Sequence, residues 1–323
     1  MSNISLYDLA VLERADEFTG LIEDVTTVAP EFTEFAAVKR DGTYYETVKR
    51  IVLPTAQFRN TNAGVTPSKS TYKEEVKEMF NLDVVLNIDE AVWKADKART
   101  GAIWQHEAAG AMRAASILLG QQVYYGTSID ASGFTGVRTQ YSASIGAGGT
   151  TNTTSAYLLW MDEKEGCRFD VGMNGQFAIS APVRQQLQDP NASTKNYFAY
   201  VGNLQAWVGF NVMSSFSVFA ITGLQATVTT PTTQGLTDAL GSQLVSYVPI
   251  PRRNNLKWFM NRTSESILQQ RRAAVNPGIT TYSNPYALQP MGGDGRPGFS
   301  PLPTLLVGYP IVITDSILNT ESN

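Results

Sequence analysis

Residues 90–125 read EAVWKADKARTGAIWQHEAAGAMRAASILLGQQVYY, and this stretch decides the fold. It contains no proline, and its large apolar and alanine side chains recur at helical spacing, at Trp93, Trp104, Ala108, Ala111, Ala115 and Leu118. A helix over the whole stretch would be about 50 Å long at about 1.5 Å per residue. At its start, Asn87 and Glu90 have the spacing of a capping box, and Gly126 suits its end. The stretch therefore predicts one long amphipathic helix.

Two glycines, Gly101 and Gly110, interrupt the predicted helix. Each costs about 1 kcal/mol relative to alanine inside a helix. Their presence predicts that a packed neighbour brings its backbone close to the helix at these points.

Two strands are predicted before the helix. Tyr44–Leu53 is rich in residues that favour strands and stops at Pro54. Thr71–Asn87 alternates, with one face formed by Tyr72, Val76, Phe80, Leu82, Val84 and Leu86 and the other by Lys73, Glu75, Lys77, Asn81 and Asp83. Between them, Pro54–Ser70 is polar and rich in turn-forming residues. Together these segments predict a long hairpin with a polar distal part.

The predicted hairpin needs a cover. An isolated two-stranded hairpin is marginally stable in water, and its unpaired edges invite pairing. Because the residues around it offer no local core, we expect the cover to come from another copy of the chain. The alternative is a mobile surface loop. Deleting Pro54–Ser70 should separate the two, since only a hairpin that clasps a neighbour is needed for assembly.

The rest of the chain predicts short strands mixed with helices. The strand candidates are Ala156–Met161, Ala206–Met213, Phe216–Ile221, Leu256–Met260 and Leu305–Ile313, and the helix candidates are Pro182–Gln188, Thr237–Tyr247 and Ser264–Val275. The segment 127–154 is rich in Gly, Ser and Thr, which predicts loops around short strands. Without a regular alternation of strands and helices, the pattern favours an α+β fold.

Composition excludes several classes of protein. The chain has 323 residues, of which 43% are hydrophobic and 17% charged, an ordinary globular balance. A net charge of -4 argues against non-specific binding to nucleic acid as the main task. The single cysteine, Cys167, rules out an intrachain disulfide. No secretory leader and no apolar run long enough to span a membrane are visible, so we expect a soluble protein made in the cytoplasm.

Motifs for catalysis or metal binding are missing from the sequence. The one histidine, His106, begins half of a His-Glu-x-x-His zinc motif, but Gly110 occupies the second ligand position. Two glycine-rich segments, 146–149 and 292–295, lack the spacing of a phosphate-binding loop. Adjacent acidic pairs such as Asp162 and Glu163 are typical of solvated surfaces. We expect no enzymatic activity and no cofactor.

Taken in order, the segments resemble the major capsid proteins of tailed bacteriophages, which share the HK97 fold. The resemblance covers most of the chain. After the hairpin and the long helix it is carried by Leu118–Gly120, Asp130–Gly136, Thr154–Leu159, Trp207–Phe210, Leu256–Arg262, Val307–Ile311 and Thr314–Glu321.

The resemblance implies a division of the chain into parts. These are an N-terminal arm at 1–40, an extended hairpin loop at 41–80, a peripheral domain with a long spine helix at 81–135, a mainly axial domain at 136–300, and a C-terminal strand at 301–323 that returns to the peripheral domain. In such shells the axial domains meet at the centres of hexamers and pentamers. Each extended loop lies across the adjacent subunit.

The function implied by the resemblance is that of a structural shell protein. Hexamers and pentamers would form an icosahedral virion head, assembled in the cytoplasm of a bacterial host and enclosing double-stranded DNA. A portal protein, a separate scaffolding protein and a decoration protein are the implied partners, with no membrane involved. We expect loop residues to seek acidic partners on a neighbour, namely Arg50, Arg59, Lys69 and Lys73. Some relatives form covalent crosslinks from this loop, and we favour charge pairing for Lys69 and Lys73.

Two other functions remain open at this point. An encapsulin-type nanocompartment is similar in fold, and the sequence does not say what a shell would contain. A β-rich binding module or a carbohydrate-active enzyme belongs to a different class, and the carboxylate clusters that such an enzyme needs are not visible.

Overall fold

Two six-stranded sheets and one separate two-stranded hairpin contain the strands of the described residues. A computed structural model of the chain describes residues 27, 29–95, 102–173, 178–189, 192–226, 234–275 and 302–321. Helices and strands follow one another without regular alternation. The α+β fold expected from the sequence is therefore confirmed.

The elements have the following bounds. The helices are α1 Glu31–Glu34, α2 Glu90–Ala95, α3 Ala102–Tyr125, α4 Asp238–Ser246 and α5 Arg262–Val275. The strands are β1 Ala37–Lys39, β2 Tyr44–Val52, β3 Thr71–Glu78, β4 Phe80–Asp89, β5 Ala143–Gly146, β6 Thr153–Trp160, β7 Cys167–Val171, β8 Ala178–Ile179, β9 Val183–Asp189, β10 Ala192–Val212, β11 Val218–Gln225, β12 Leu256–Met260, β13 Leu305–Leu306 and β14 Tyr309–Ile313.

The first sheet is organised around β10, a strand of 21 residues. Its order is β1-β7-β10-β4, and the short strands β8 and β9 also pair with β10. Strand β4 runs antiparallel to β10 from Phe80 opposite Val208 to Asp89 opposite Ala199. On the other side, β7 pairs with the last residues of β10, with Cys167 opposite Val212.

The second sheet has the order β13-β14-β12-β6-β11-β5. Strand β6 is buried from Thr153 to Leu159, as expected for a central strand with both faces covered. Helix α4 contributes Leu244 and α5 contributes Leu268 to the core on one side of this sheet. The last strand, β14, pairs in parallel with β12.

An aromatic core lies between the sheets and the C-terminal half of α3. The ring of Phe35 stacks on Phe259 with centroids 5.2 Å apart and meets Phe210 edge-on at 5.0 Å. Helix α3 adds Leu119 and Val123 to the same cluster. Full burial of such side chains stabilises a fold by about 1.5–3 kcal/mol each. The cluster therefore joins the helix, both sheets and the segment before β1.

Two helices, α2 and α3, lie within the predicted long helix, with differences in detail from the prediction. Residues 96–101, between them, lie outside the described residues. The stripe of α3 that faces the core consists of Trp104, Ala111, Ala115, Leu119 and Val123, and Leu118 is only half-buried. The predicted capping box is wrong, because Asn87 pairs within the sheet and Asp89 Oδ1 accepts the bond from Ala91 N at 2.7 Å.

Two further predictions are wrong because the pairing of strands overrides the local sequence pattern. The segment Pro182–Gln188, predicted as a helix, forms strand β9, because it pairs with β10 from Val183 to Asp189 and sheet pairing overrides its modest helix propensity. The single strand predicted over Thr71–Asn87 is two strands. They part at Met79, which is buried and whose N–H donates to Thr43 O at 2.8 Å.

Some predictions concern residues that lie outside the described part of the chain. Residues 1–26 and 28 of the N-terminal arm implied at 1–40 lie outside it, and so does Gly101. Gly110 is described, and a Cβ atom added to it would meet no atom within 4 Å. The close approach predicted there is thus absent within the described chain. Among the described helices, none is long and apolar enough to cross a lipid bilayer.

Candidate functional site

The hairpin formed by β2 and β3 stands apart from both sheets. The two strands pair only with each other, from Tyr44 opposite Glu78 to Val52 opposite Thr71. This confirms the first strand and the hairpin part of the second as the sequence predicts them. Because a two-stranded hairpin is marginally stable by itself, what holds it at its base and what covers its faces decide how it is used.

One face of the hairpin is apolar and exposed. Tyr44, Val48, Tyr72 and Val76 lie on it, with 63%, 64%, 58% and 53% of their surfaces accessible. Along β3 the sequence predicts Tyr72 and Val76 to lie on the apolar face, and in the chain alone that face is open to solvent. An exposed apolar surface of this kind marks an interaction site.

Charged side chains alternate with the apolar ones on this face. Glu78 lies opposite Tyr44, Glu46 opposite Val76, Glu74 opposite Val48 and Arg50 opposite Tyr72. No described side chain forms an ion pair with any of the three glutamates. The face therefore combines uncovered apolar surface with unpaired negative charge.

The opposite face carries a cluster of lysines around Glu75. The Glu75 carboxylate lies 2.6 Å from Lys49 Nζ, 3.3 Å from Lys73 Nζ and 3.2 Å from Lys77 Nζ. Partial burial opposes ionisation of Glu75, but the hydrogen bonds from Lys49 and Lys77 outweigh it and lower its pKa to about 2. Three ammonium groups share one carboxylate, so the cluster keeps a positive charge.

The base of the hairpin is held by the buried carboxylate of Asp170 on β7. Its Oδ2 accepts hydrogen bonds from Tyr45 Oη at 2.6 Å and from Asn211 Nδ2 at 2.7 Å. Its Oδ1 lies 3.2 Å from Arg40 Nε and 3.2 Å from Arg168 Nε. These bonds join the start of β2 to β7 and β10, so they fix the direction in which the hairpin leaves the body.

Sequence reasoning missed Asp170, and no local signal marks it. The residue lies in the middle of a strand, more than one hundred positions from Tyr45. The contact also affects Tyr45. Burial and the bond to Asp170 raise the pKa of the Tyr45 hydroxyl to about 12, so it remains a hydrogen-bond donor at any physiological pH.

The tip of the hairpin, residues 53–70, has internal hydrogen bonds. Ser68 Oγ accepts a bond from Thr55 N at 2.8 Å and donates one to Thr55 O at 3.2 Å. Asn62 adopts a left-handed conformation with φ 67° in the turn between Asn60 and Ala63. At this tip Phe58 is fully exposed.

The four residues predicted to form the assembly interface all lie on the hairpin. Arg50 and Lys73 lie in the strands, and Arg59 and Lys69 lie in the tip. The Arg50 guanidinium lies 5.6 Å from the centre of the Tyr72 ring, and Arg59 Nη1 donates to Ala63 O at 3.1 Å. Lys73 pairs with Glu75 of its own hairpin, whereas Arg59 and Lys69 form no ion pair with a described residue.

Within the described residues, the single histidine and the single cysteine are not brought together into a catalytic or metal site. His106 is exposed on α3, and Cys167 is fully buried, so burial raises the pKa of its thiol. In the described residues there is no group of three or more His, Cys, Asp or Glu side chains placed to hold a metal ion.

Comparison with known proteins gives one family and several similar structures. The family described as major capsid protein GP7 matches residues 30–323. A chain of the cryo-EM structure of bacteriophage Epsilon15 is 19% identical over 100% of this chain and 97% of that chain, with a TM-score of 0.65. This likeness confirms the expected HK97-like fold.

Two other structures are similar at a lower level. The capsid of Myoviridae phage XM1 is 10% identical over 69% of this chain and 100% of that chain, with a TM-score of 0.45. A chain of Mycobacterium phage Adephagia is 13% identical over 68% of this chain and 98% of that chain, with a TM-score of 0.44. None of the curated proteins compared with this chain matches it in sequence.

Proposed function

The chain belongs to the family of major capsid protein GP7, and we propose from this premise that each hairpin lies across a neighbouring copy in an icosahedral head. As a member of this family the chain is a structural protein of a bacteriophage capsid. The family favours a viral capsid over the encapsulin-type alternative. The finer proposal is that hexamers and pentamers of this chain enclose double-stranded DNA, and that the chain has no enzymatic activity.

The observation that carries the proposal is the exposed apolar face of the hairpin. Tyr44, Val48, Tyr72 and Val76 are more than half exposed although they lie on one face of the hairpin, as diagonal neighbours across β2 and β3. Soluble proteins rarely leave such a surface uncovered. A second copy is the natural cover, because a contact between two different patches of identical chains repeats and closes into rings.

The rigid base supports the same proposal. A hairpin that must meet a neighbour at a fixed place benefits from a fixed direction, since ordering it on contact would cost conformational entropy. The bonds from Tyr45, Arg40 and Arg168 to Asp170 supply that constraint before assembly.

The basic residues of the hairpin are proposed to guide the contact. Arg59 and Lys69 are the strongest candidates, because no described carboxylate pairs with either. Lys73 is engaged with Glu75 at 3.3 Å and Arg50 lies over Tyr72, so each would have to exchange a partner on assembly. Charges at the rim of such an interface steer association and fix its register.

The division into parts also remains a proposal. Residues 41–80 contain the hairpin, and α3 within 81–135 is the proposed spine helix. Strand β14 lies beside β12 in the second sheet. The residues that follow β14 support the proposed return of residues 301–323 to the peripheral domain. There Tyr125 Oη at the end of α3 donates to Glu321 Oε1 at 2.6 Å and accepts from Leu318 N at 2.8 Å.

The proposed partners follow from a closed DNA-filled shell. A portal protein, a separate scaffolding protein and a decoration protein are proposed, with assembly in the cytoplasm of the bacterial host. The packaged DNA would lie in non-specific proximity to the chain, whose net charge of -4 does not favour binding to phosphates.

Purified protein tests the function directly. Size-exclusion chromatography and electron microscopy should show closed particles of megadalton mass, with or without an added scaffolding protein. A stable monomer of 35.2 kDa under all assembly conditions would contradict the proposal.

A further inference from the structure

A groove lies at the base of the hairpin, on its exposed apolar face. It has a volume of about 380 Å³ and is lined by Thr43, Tyr44, Val76, Glu78, Met79 and Trp207. Met79 is buried at its floor, where Gly172 and Gly209 leave room for it: a Cβ atom on either glycine would lie 3.2–3.3 Å from the Met79 side chain. Aromatic and methionine side chains that line a depression are typical of the centre of a protein interface.

The tip of the hairpin presents the kind of group that fits such a groove. Phe58 is fully exposed, on a loop that hydrogen bonds between Thr55 and Ser68 already order. Seating an aromatic ring from an ordered loop costs little conformational entropy. The tip therefore has the features of an anchor, and the groove those of its receptor.

Charge distinguishes the two ends of the hairpin. The tip, residues 53–70, contains Arg59 and Lys69 and no acidic residue. The groove contains Glu78, and the face that leads to it carries Glu46 and Glu74. All three carboxylates are unpaired within the described chain. Opposite charges at two separated patches favour contact between them and disfavour contact of like ends.

The tip cannot occupy the groove of its own hairpin. Strand β2 runs from Tyr44 to Val52 and stays paired with β3 along its length, a span of about 26 Å at about 3.3 Å per residue. The paired strands hold tip and groove apart by at least this distance. A tip that occupies the groove must therefore belong to another copy.

We propose that the groove at the base of each hairpin is the seat for the tip of a second copy's hairpin, with Phe58 entering the groove and Arg59 facing its Glu78. This inference rests on the proposed function, because it requires a shell of identical copies. It adds the surface that receives the tip. The contact between the tip of one hairpin and the base of the next would repeat around each ring.

Thiol crosslinking tests the contact in assembled particles. The variant Gln57→Cys with Thr43→Cys places one thiol on the tip beside Phe58 and one in the groove, and leaves the Phe58 ring in place. The chain's only native thiol, Cys167, is fully buried. Treatment with a short bismaleimide, followed by denaturing electrophoresis, should give a ladder of covalent multimers. Each single variant, and the pair Gln57→Cys with Thr47→Cys, serve as controls that should give no ladder, because Thr47 lies on the opposite face of the hairpin.

The outcomes of this experiment distinguish failure of the proposed contact from failure of the proposed capsid function. Particles of the Gln57/Thr43 variant without a ladder, or a ladder only with the Thr47 pair, would overturn the groove as the seat and leave the shell function intact. Failure of the wild-type chain to form particles at all would refute the proposed function, and this inference with it.

A charge exchange gives an independent test. Arg59→Glu and Glu78→Arg should each raise the protein concentration needed for assembly by at least about tenfold, because like charges then meet across the contact. The double variant should recover assembly close to that of the wild type. Single variants that assemble normally, or a double variant no better than either single one, would overturn the pairing.

Discussion

At the scale of single residues, Asp170 shows how a buried charge can set the geometry of a distant element. Its carboxylate is fully buried and is matched by Arg40 and Arg168, with Tyr45 and Asn211 completing its hydrogen bonds. Removing one partner of a buried ion pair is far more costly than removing an exposed charge, since the other charges are left without compensation.

The variant Asp170→Asn should therefore lower the free energy of unfolding by about 3–5 kcal/mol. Chemical denaturation of the unassembled chain measures this loss. Asp41→Asn, the same change at an exposed position close to the hairpin, should cost less than about 0.5 kcal/mol. Equal effects of the two changes would show that Asp170 does not hold the hairpin base.

A second residue-scale feature is the buried acid Glu31 at the start of α1. Its Oε1 accepts a bond from Thr314 Oγ1 at 2.5 Å, and burial raises the pKa of its carboxyl above 4.5. Glu321 is similar, since burial also raises its pKa. A carboxyl with a raised pKa in the folded chain stabilises the fold while protonated, and this contribution is lost as the pH rises through the folded pKa.

Glu31→Gln should accordingly flatten the dependence of stability on pH. The wild-type chain should lose stability as the pH rises from about 4.5 through the raised pKa, and the variant should lose less because its amide does not ionise. Denaturation midpoints measured from about pH 5 to about pH 8 test this. The exposed Glu46→Gln serves as the control, and identical slopes for Glu31→Gln and wild type would contradict the prediction.

At the scale of elements, the sequence predicts best where local pattern and tertiary environment agree. The apolar run Leu256–Met260 predicts strand β12 with its observed bounds. In the structure this strand is buried along most of its length, as expected for a central strand covered on both faces. Helix α4 was also predicted, and Thr237 caps it by accepting from Leu240 N at 3.2 Å. In these segments propensity, capping and burial all favour the same structure.

The predictions that fail concern segments whose structure depends on pairing with a strand that is distant in the sequence. The segment that forms β9 has the local composition of a helix, and only its pairing with β10 makes it a strand. The break at Met79 arises because β3 pairs with β2 while β4 pairs with β10. Asp170 and the groove below Trp207 depend on contacts between remote segments, so no local pattern could reveal them. The basic residues of the hairpin could be located from sequence, but not the internal pairing of Lys73.

Two glycines of α3 give a matched test of the helix packing. A Cβ atom at Gly120 would lie 2.2 Å from Ser316 Oγ and 2.9 Å from Glu31 Oε2, whereas one at Gly110 would meet no atom within 4 Å. Gly120→Ala should therefore destabilise the unassembled chain by about 1–3 kcal/mol through overpacking.

Gly110→Ala should have the opposite sign, with a gain of about 0.5–1 kcal/mol from helix propensity. Thermal unfolding of both variants measures the difference. If both changes destabilise equally, the contact of α3 with the segment after β14 is not as described.

At the scale of the whole molecule, the described residues form a folded body with a projecting hairpin, and one face of that hairpin is left exposed by them. The two sheets and α3 share an aromatic core, and the hairpin is joined to that body at its base alone. The body should therefore fold without the distal hairpin, whereas assembly should not proceed without it.

Replacing residues 53–70 by an Asn-Gly turn tests this separation. The turn suits the pairing of Val52 with Thr71, so the variant should fold with a circular dichroism spectrum and an unfolding midpoint close to those of the wild type. In electron microscopy it should form no closed particles. A folded variant that still assembles would mean that the tip is not needed for the clasp.

The most direct measurement is a cryo-EM reconstruction of the assembled particle at a resolution that shows side chains. We predict that Tyr44, Val48, Tyr72 and Val76, exposed in the single chain, are buried against an adjacent subunit. A reconstruction in which the hairpin folds back onto its own chain, or projects into solvent without touching a second copy, would contradict this.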